Sequence, residues 1–189
     1  MRDLDILTRM EDVSVNISLN TMDAAVIRML EPASPLPAAR LETIHRLSDA
    51  GVDTSLFVAP VLPLITDAED GIRGLLTSAR ERGAVYAMIS LLRLSRDVKK
   101  WYLATLKLHF PQLVQSYREL YSQGAYAEGD YIRSFKAMAA LLLAEFKLDK
   151  RTAEMAETIP SLPRRMPEPS KPVTGKELMP EVEQLSFPF

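Results

Sequence analysis

The stretch DTSLFVAPVLPLITD, Asp53–Asp67, restricts the fold more than any other part of the sequence. Its apolar run, Leu56–Ala59, leads straight into Pro60 and Pro63. Proline removes a backbone donor and cannot sit inside a helix without breaking it. A short apolar run ended by turn chemistry reads as a strand buried on both faces. Thr66 or Asp67 then stands where the N-cap of a following helix is expected. Strand, non-helical loop and capped helix make one βα unit. In α/β proteins ligands gather at the carboxyl ends of such strands.

The flanking segments repeat this unit. Leu4, Ile6, Leu7 and Met10 recur at helical intervals, with Asp3 and Asp5 early, where the helix dipole favours acids. Val13–Asn20, VSVNISLN, then alternates as a strand does, with Val15, Ile17 and Leu19 on one face. Ser14, Asn16, Ser18 and Asn20 fall on the other. Two readings of that polar face stay open. In a closed parallel barrel it points into the lumen and lines a site; in an open sheet it is simply wet. Thr21 is placed to cap a short helix over Asp23–Leu30, stopped by Pro32. A helix over about Ala38–Ala50 follows, with Pro37 in its first turn and Gly51 just past its end. After the strand Thr54–Ala59, the spacing predicts a helix over Ala68–Arg82 and a third buried strand over Val85–Leu92.

Strands separated by helices make a parallel sheet. The expected class is therefore α/β with about three parallel strands, as half of a (β/α) barrel or a small doubly wound sheet. Beyond Ser95 the strands stop. Asp97–His109, Gln112–Ser122 and Asp130–Leu148 read as helices, and the wide apolar stripe of the last is a core face. From Ile159 the pattern dissolves into a segment holding many of the 13 prolines. Such a segment lacks core-forming residues and is expected to be disordered. The expected organisation is a partial barrel over residues 1–95, packed helices over 96–150 and a Pro-rich tail over 151–189.

Composition removes several kinds of chemistry. The chain has no cysteine, which excludes disulfides, thiolate metal sites, cysteine nucleophiles and a thiolate-held iron–sulfur cluster within these residues. Its 2 histidines, His45 and His109, lie far apart in helical patterns without metal-binding spacing. A net charge of -2 makes no electrostatic case for nonspecific nucleic-acid binding. No run approaches the roughly 18 apolar residues that a membrane-spanning helix needs, and the N-terminus resembles no signal peptide, so the expected location is the cytoplasm. No residue stands out as an independent general base or nucleophile.

Taken together, DVSVNISLNTMDAAVIRMLEPASPLPAARLETIHRLSDAGVDTSLFVAPVLPLITD resembles the radical SAM proteins related to spore photoproduct lyase. The shared features are a VNVSI-like strand, an acidic helix, LEP with a proline-rich loop, an R…I..L..AGI-like helix and a V.VAPVIPG.ND-like strand. SLLRLSRDVKKWY is similar to the family's next strand and its Val-Lys-rich helix, and RDLDIL to the helix before the middle strand. The resemblance covers about Arg2–Tyr102. Two departures stand out. The family's Cys-x3-Cys-x2-Cys loop, which holds a [4Fe-4S] cluster, is absent from this chain; and Ser95 and Leu64–Asp67 replace a usual proline and a Gly-Leu-Asn-Asp run.

The resemblance implies the C-terminal half of a barrel that binds S-adenosylmethionine and cleaves it to a radical that abstracts hydrogen from a substrate. It also implies that Met1 is internal to a longer domain, whose missing N-terminal half or a partner chain covers the open sheet edge. By the same resemblance Asn16 and Ser18 lie near the ribose and methionine. Backbone at Ala59, Pro60 and Val61 and at Leu91, Leu92 and Arg93 lies where adenine is held, with Arg93 placed to meet a carboxylate or phosphate. The final EQLSFPF, through Gln184, Leu185, Phe187 and Phe189, resembles peptides that dock on the bacterial DNA sliding clamp. A labelled peptide of residues 180–189 is expected to bind a clamp; failure at high micromolar concentration excludes this role. A barrel remnant acting as a noncatalytic interaction module is the alternative. A hydrolase or transferase lacks any phosphate loop, nucleophile elbow or acid–base pair here.

Overall fold

The computed structural model describes residues 3–149. The expected tail, including Gln184, Leu185, Phe187 and Phe189, lies outside the described residues. A short helix α1 (Leu4–Leu7) precedes strand β1 (Ser14–Ser18), and helices α2 (Ala24–Leu30) and α3 (Pro37–Asp49) lead to β2 (Asp53–Val61). Helix α4 (Glu69–Arg80) connects β2 to β3 (Tyr86–Leu91). Helix α5 (Arg96–His109), a 3-10 turn (Pro111–Leu113), α6 (Val114–Leu120) and α7 (Gly129–Glu145) follow.

Local chemistry explains most of these limits. Asp23, not Thr21, caps α2: its carboxylate accepts from the amides of Ala25 at 2.8 Å and Val26 at 3.2 Å. Thr21 instead accepts from the Asp23 amide. Pro37 opens α3, and Gly51 leaves it with φ 78°, a conformation that suits glycine. Neither Thr66 nor Asp67 caps α4. The N-cap position falls on Ala68, with no side-chain bond. Thr66 Oγ1 accepts from the Leu62 amide at 2.8 Å and closes the loop after β2, while Asp67 accepts from the Tyr131 hydroxyl. A local loop bond thus claims Thr66 and a tertiary partner claims Asp67. Gly83, at φ 87°, lets the turn before β3 press against α3; a Cβ there would fall 2.0 Å from Ser48 Oγ.

The three strands form one parallel sheet in the order β1-β2-β3. Ile17 pairs with Leu56, which pairs with Ala87. Alternation places Val15, Ile17, Leu56, Val58, Ala87 and Ile89 on one face. Leu41 and Ile44 of α3, Ile72, Leu75 and Leu76 of α4, and Phe135, Ala139 and Leu142 of α7 close over this face as the main core. Leu56, Val58 and Leu76 are each 0% exposed.

The opposite face carries Asn16, Ser18, Ser55, Phe57 and Met88, and neither hydrophobic cluster draws a residue from it. Asn16 and Ser18 are exposed, and Met88 is 38% exposed. The expectation that β2 and β3 are buried on both faces therefore holds on the first face, whereas on the second Ser55 is buried, Phe57 is partly buried and Met88 is exposed. Strand β2 also runs beyond Ala59, through the cis Ala59–Pro60 peptide to Val61, and its register with β3 shifts between Val58 and Val61.

A second cluster forms beyond the carboxyl ends of the strands. Leu62 and Leu94 pack there with Tyr102 and Leu106 of α5 and Tyr117 and Tyr121 beside them. Tyrosine hydroxyls tie this helical cap to the sheet loops. Tyr102 donates to Tyr117 at 3.1 Å, Tyr117 donates to the Pro63 carbonyl at 2.6 Å, and Tyr121 donates to the Leu92 carbonyl at 2.8 Å. Among the described residues no helix is long and apolar enough to cross a membrane.

Candidate site at the carboxyl end of the sheet

The loops leaving β1, β2 and β3 and helix α5 line a half-open cavity of about 260 Å³. Its walls come from Asn20, just past β1, Glu31 after α2, Pro60 and Leu62 at the end of β2, Leu92 past β3, and Trp101 and Tyr102 of α5. This is the end of a parallel sheet at which α/β proteins place ligands.

Arg40 of α3 holds the rim of this site. Its guanidinium donates to the Ser18 carbonyl at 2.7 Å, the Pro35 carbonyl at 3.0 Å and Glu31 Oε2 at 2.8 Å. One side chain thereby fixes the end of β1, the proline-rich loop and the only carboxylate among the lining residues. The Arg40 side chain is 13% exposed, so this pair is screened less than a surface ion pair. Glu31 also accepts from Asn20 Nδ2 at 3.4 Å. Asn20 is 6% exposed, and its Oδ1 is buried without a hydrogen-bond partner.

The tyrosines below the cavity stay protonated. Burial is the main cause in each case and raises Tyr102, Tyr117, Tyr121 and Tyr131 above the ordinary phenol value; Tyr131 is raised further by its bond to Asp67. They act as neutral hydrogen-bonding groups, not as bases. His45 lies on α3 with Nε2 3.4 Å from Asp49, and His109 ends α5. Among the described residues no cluster of histidine, aspartate or glutamate is arranged to hold a metal ion.

The expected site residues separate into groups. Pro60 and Leu92 both line the cavity. Asn16 and Ser18 stand together on the uncovered sheet face. Ala59 is half-buried in the shifted part of β2, while Val61 turns into the main core at 0% exposure and accepts from the Leu92 amide at 2.9 Å. Arg93 is exposed and lies over the Tyr126 ring, 5.4 Å from its centre, away from the cavity lining. Glu31, Arg40 and Trp101 belong to the site although single-sequence reasoning did not select them. Glu31 sits in the LEP run, which was a usable signal. Arg40 carried none, because it looks like an ordinary helix-surface residue, and Trp101 read as part of the apolar side of its helix, although it is 64% exposed.

No family model matches the chain, and no solved structure matches it. An uncharacterized protein of Mycobacterium tuberculosis is 35% identical over 136 residues, 72% of this chain and 40% of the relative. An uncharacterized protein of Acidianus two-tailed virus is 33% identical over 63 residues, 33% of this chain and 21% of that protein. One from Methanocaldococcus jannaschii is 25% identical over 69 residues, 36% of this chain and 27% of that protein. The chain thus spans about 40% of the length of the mycobacterial relatives it matches.

Proposed function

We propose that this chain supplies the carboxyl-terminal part of a radical SAM (β/α) barrel resembling spore photoproduct lyase, and within it the wall that holds the nucleoside part of S-adenosylmethionine. The uncovered face of the parallel sheet carries this reading. Parallel sheets are almost always covered on both faces, and three strands cannot close a barrel. Here one face displays Asn16, Ser18 and Met88, with Phe57 partly buried and Ser55 buried, and neither described hydrophobic cluster draws a residue from it. The longer relatives have chain to spare for more strands, since this one spans 40% of their length.

The two groups implied by the resemblance fit this chain differently. A [4Fe-4S] cluster does not: the sequence contains no cysteine to ligate it, so another segment would have to carry it. The nucleoside fits better. Asn20 lines the cavity, and the exposed Asn16 and Ser18 can exchange hydrogen bonds with hydroxyl groups. When bound, S-adenosylmethionine would supply hydrogen-atom abstraction chemistry. Arg40 keeps the rim in place.

The test combines this chain with the part of the mycobacterial relative that lies outside the matched region, with iron and sulfide added. The expected result is a stable complex, brown colour and release of 5′-deoxyadenosine from S-adenosylmethionine, falling about ten-fold or more in the Asn16→Ala/Ser18→Ala variant. A complex without nucleoside release would favour a noncatalytic interaction module. Absence of a complex would overturn the reading.

A further inference from the structure

We infer that the outer edge of β3 is a docking groove for an extended acidic segment of a separate protein, which adds to the sheet as a short fourth strand. The groove lies on the side of β3 away from β2 and β1, so its use does not depend on the proposed barrel or its cofactor.

Strand β3 pairs with β2 on one side and has no strand on its other side among the described residues. Backbone groups of successive strand residues point alternately to the two sides. The Ala87 amide points away from β2, since it donates to the Leu148 carbonyl at 2.9 Å. The Leu92 amide points the other way and donates to the Val61 carbonyl of β2 at 2.9 Å. By alternation Ile89 and Leu91 face outward with Ala87. Neither of their amides has a backbone partner among the described residues. The chain's own backbone meets this edge only at its two ends, where Leu148 accepts from Ala87 and the Ala125 carbonyl accepts from Leu94 at 2.8 Å. Between those bonds stand two donors roughly 6.6 Å apart, with the Ile89 carbonyl between them. That repeat matches an extended backbone, and an open edge of this kind is a template for strand addition.

The side chains around the gap show what the added strand carries. A cavity of about 310 Å³ lies between β3 and α7. Ile132, Phe135, Ala139 and Leu143 of α7 and the Tyr126 ring make its walls apolar. An added strand turns every second side chain to one face, so apolar residues two apart can enter this cavity. The charge at the rim has one sign. Lys136 is the single charged residue of the lining; it is exposed and makes no ion pair among the described residues. Arg93 adds a second cation, 5.4 Å from the centre of the Tyr126 ring. Complementarity therefore calls for acidic side chains alternating with the apolar ones. The β3 strand of a second copy supplies none, because Tyr86–Leu91 carries no charge.

The probe is a fluorescein-labelled hexapeptide of alternating valine and glutamate, titrated into the full chain and followed by fluorescence polarisation. Saturable binding is expected, with slowed hydrogen exchange at the Ile89 and Leu91 amides in the complex. N-methyl groups on every second residue block one edge of a strand and leave the other free. Methylating one alternate set of the peptide should therefore abolish binding, and methylating the other should preserve it. Replacing glutamate by threonine in the peptide should weaken binding about ten-fold, as should Lys136→Glu in the protein. Ala140→Trp, at an exposed position of the lining, should fill the groove and abolish binding while circular dichroism stays unchanged. Absence of binding, equal loss from both methylated sets, or unchanged exchange at Ile89 and Leu91 overturns the inference. Equal affinity for the threonine peptide overturns the acidic partner. Self-association that protects the same two amides without peptide assigns the edge to a second copy and overturns the inference as well. The peptide comparisons need no variant, so a misfolded Ala140→Trp leaves the test standing.

Discussion

Tyr117→Phe is expected to destabilise the chain by about 1–3 kcal/mol, although it removes only one oxygen atom. That hydroxyl accepts from Tyr102 and donates to the Pro63 carbonyl, and the residue is 0% exposed. The substitution leaves a buried carbonyl and a buried hydroxyl unpaired, with little room for water to replace the lost partner. Tyr117→Ala should cost more, about 3–5 kcal/mol, because it also opens a cavity among Tyr102, Tyr121 and Leu106. Urea melts measure both losses. If Tyr117→Phe melts like the parent, the hydroxyl does not couple the helical cap to the loop after β2.

The same residue sets an alkaline limit. The folded state raises the pKa of Tyr117, chiefly by burial, whereas in the unfolded chain a tyrosine titrates near pH ~10. The raised folded value means that stability is complete below that pH and declines as pH climbs past it, because only the unfolded state then loses the proton. Each tyrosine that stays protonated in the fold contributes a loss of about 1.4 kcal/mol per pH unit in that range. Tyr102, Tyr121 and Tyr131 shift in the same direction, so the parent should unfold steeply above roughly pH 10. Tyr117→Phe should show a shallower decline, even though it starts from lower stability.

The second large effect contrasts two neighbours on β2. Leu56→Ala is expected to cost about 2–5 kcal/mol, since Leu56 is 0% exposed between the sheet and the helices of the main core. Phe57→Ala, one residue on and facing the uncovered side, should cost about 1 kcal/mol or less in this chain alone. Phe57 belongs to neither buried cluster, despite being the larger side chain. Where further strands of the proposed barrel pack on this face, Phe57→Ala should weaken that complex by about 2 kcal/mol, as an aromatic anchor at an interface does. Equal losses for the two variants in the isolated chain would mean that the open face is already covered.

Several elements were legible in the residues because their causes are local. Alternation in VSVNISLN and the proline-stopped apolar run before Pro60 mark β1 and β2, and the stripe of Ile72, Leu75 and Leu76 marks the core side of α4. The parallel order follows from helices standing between strands. Strand ends were less legible. β2 outruns Ala59, and Asp23 displaces Thr21 as a cap, because two neighbouring side chains could do the same work and only geometry chooses. Thr66 closes its own loop on Leu62, and Asp67 is claimed by Tyr131, distant in sequence and near in space.

By itself the sequence determined the α/β class, the order of strands and helices, the polar face of β1 and the absence of any cysteine-held centre. These depend on composition and on spacings of two to four residues, which a single chain displays in full. The tertiary structure decided which polar atom is left unpaired. Asn20 looks like its neighbours Asn16 and Ser18 until Glu31, brought back 11 residues along the chain and held by Arg40, claims its amide nitrogen. The carbonyl oxygen is then left buried without a partner, a property that depends on three residues meeting and belongs to none of them alone.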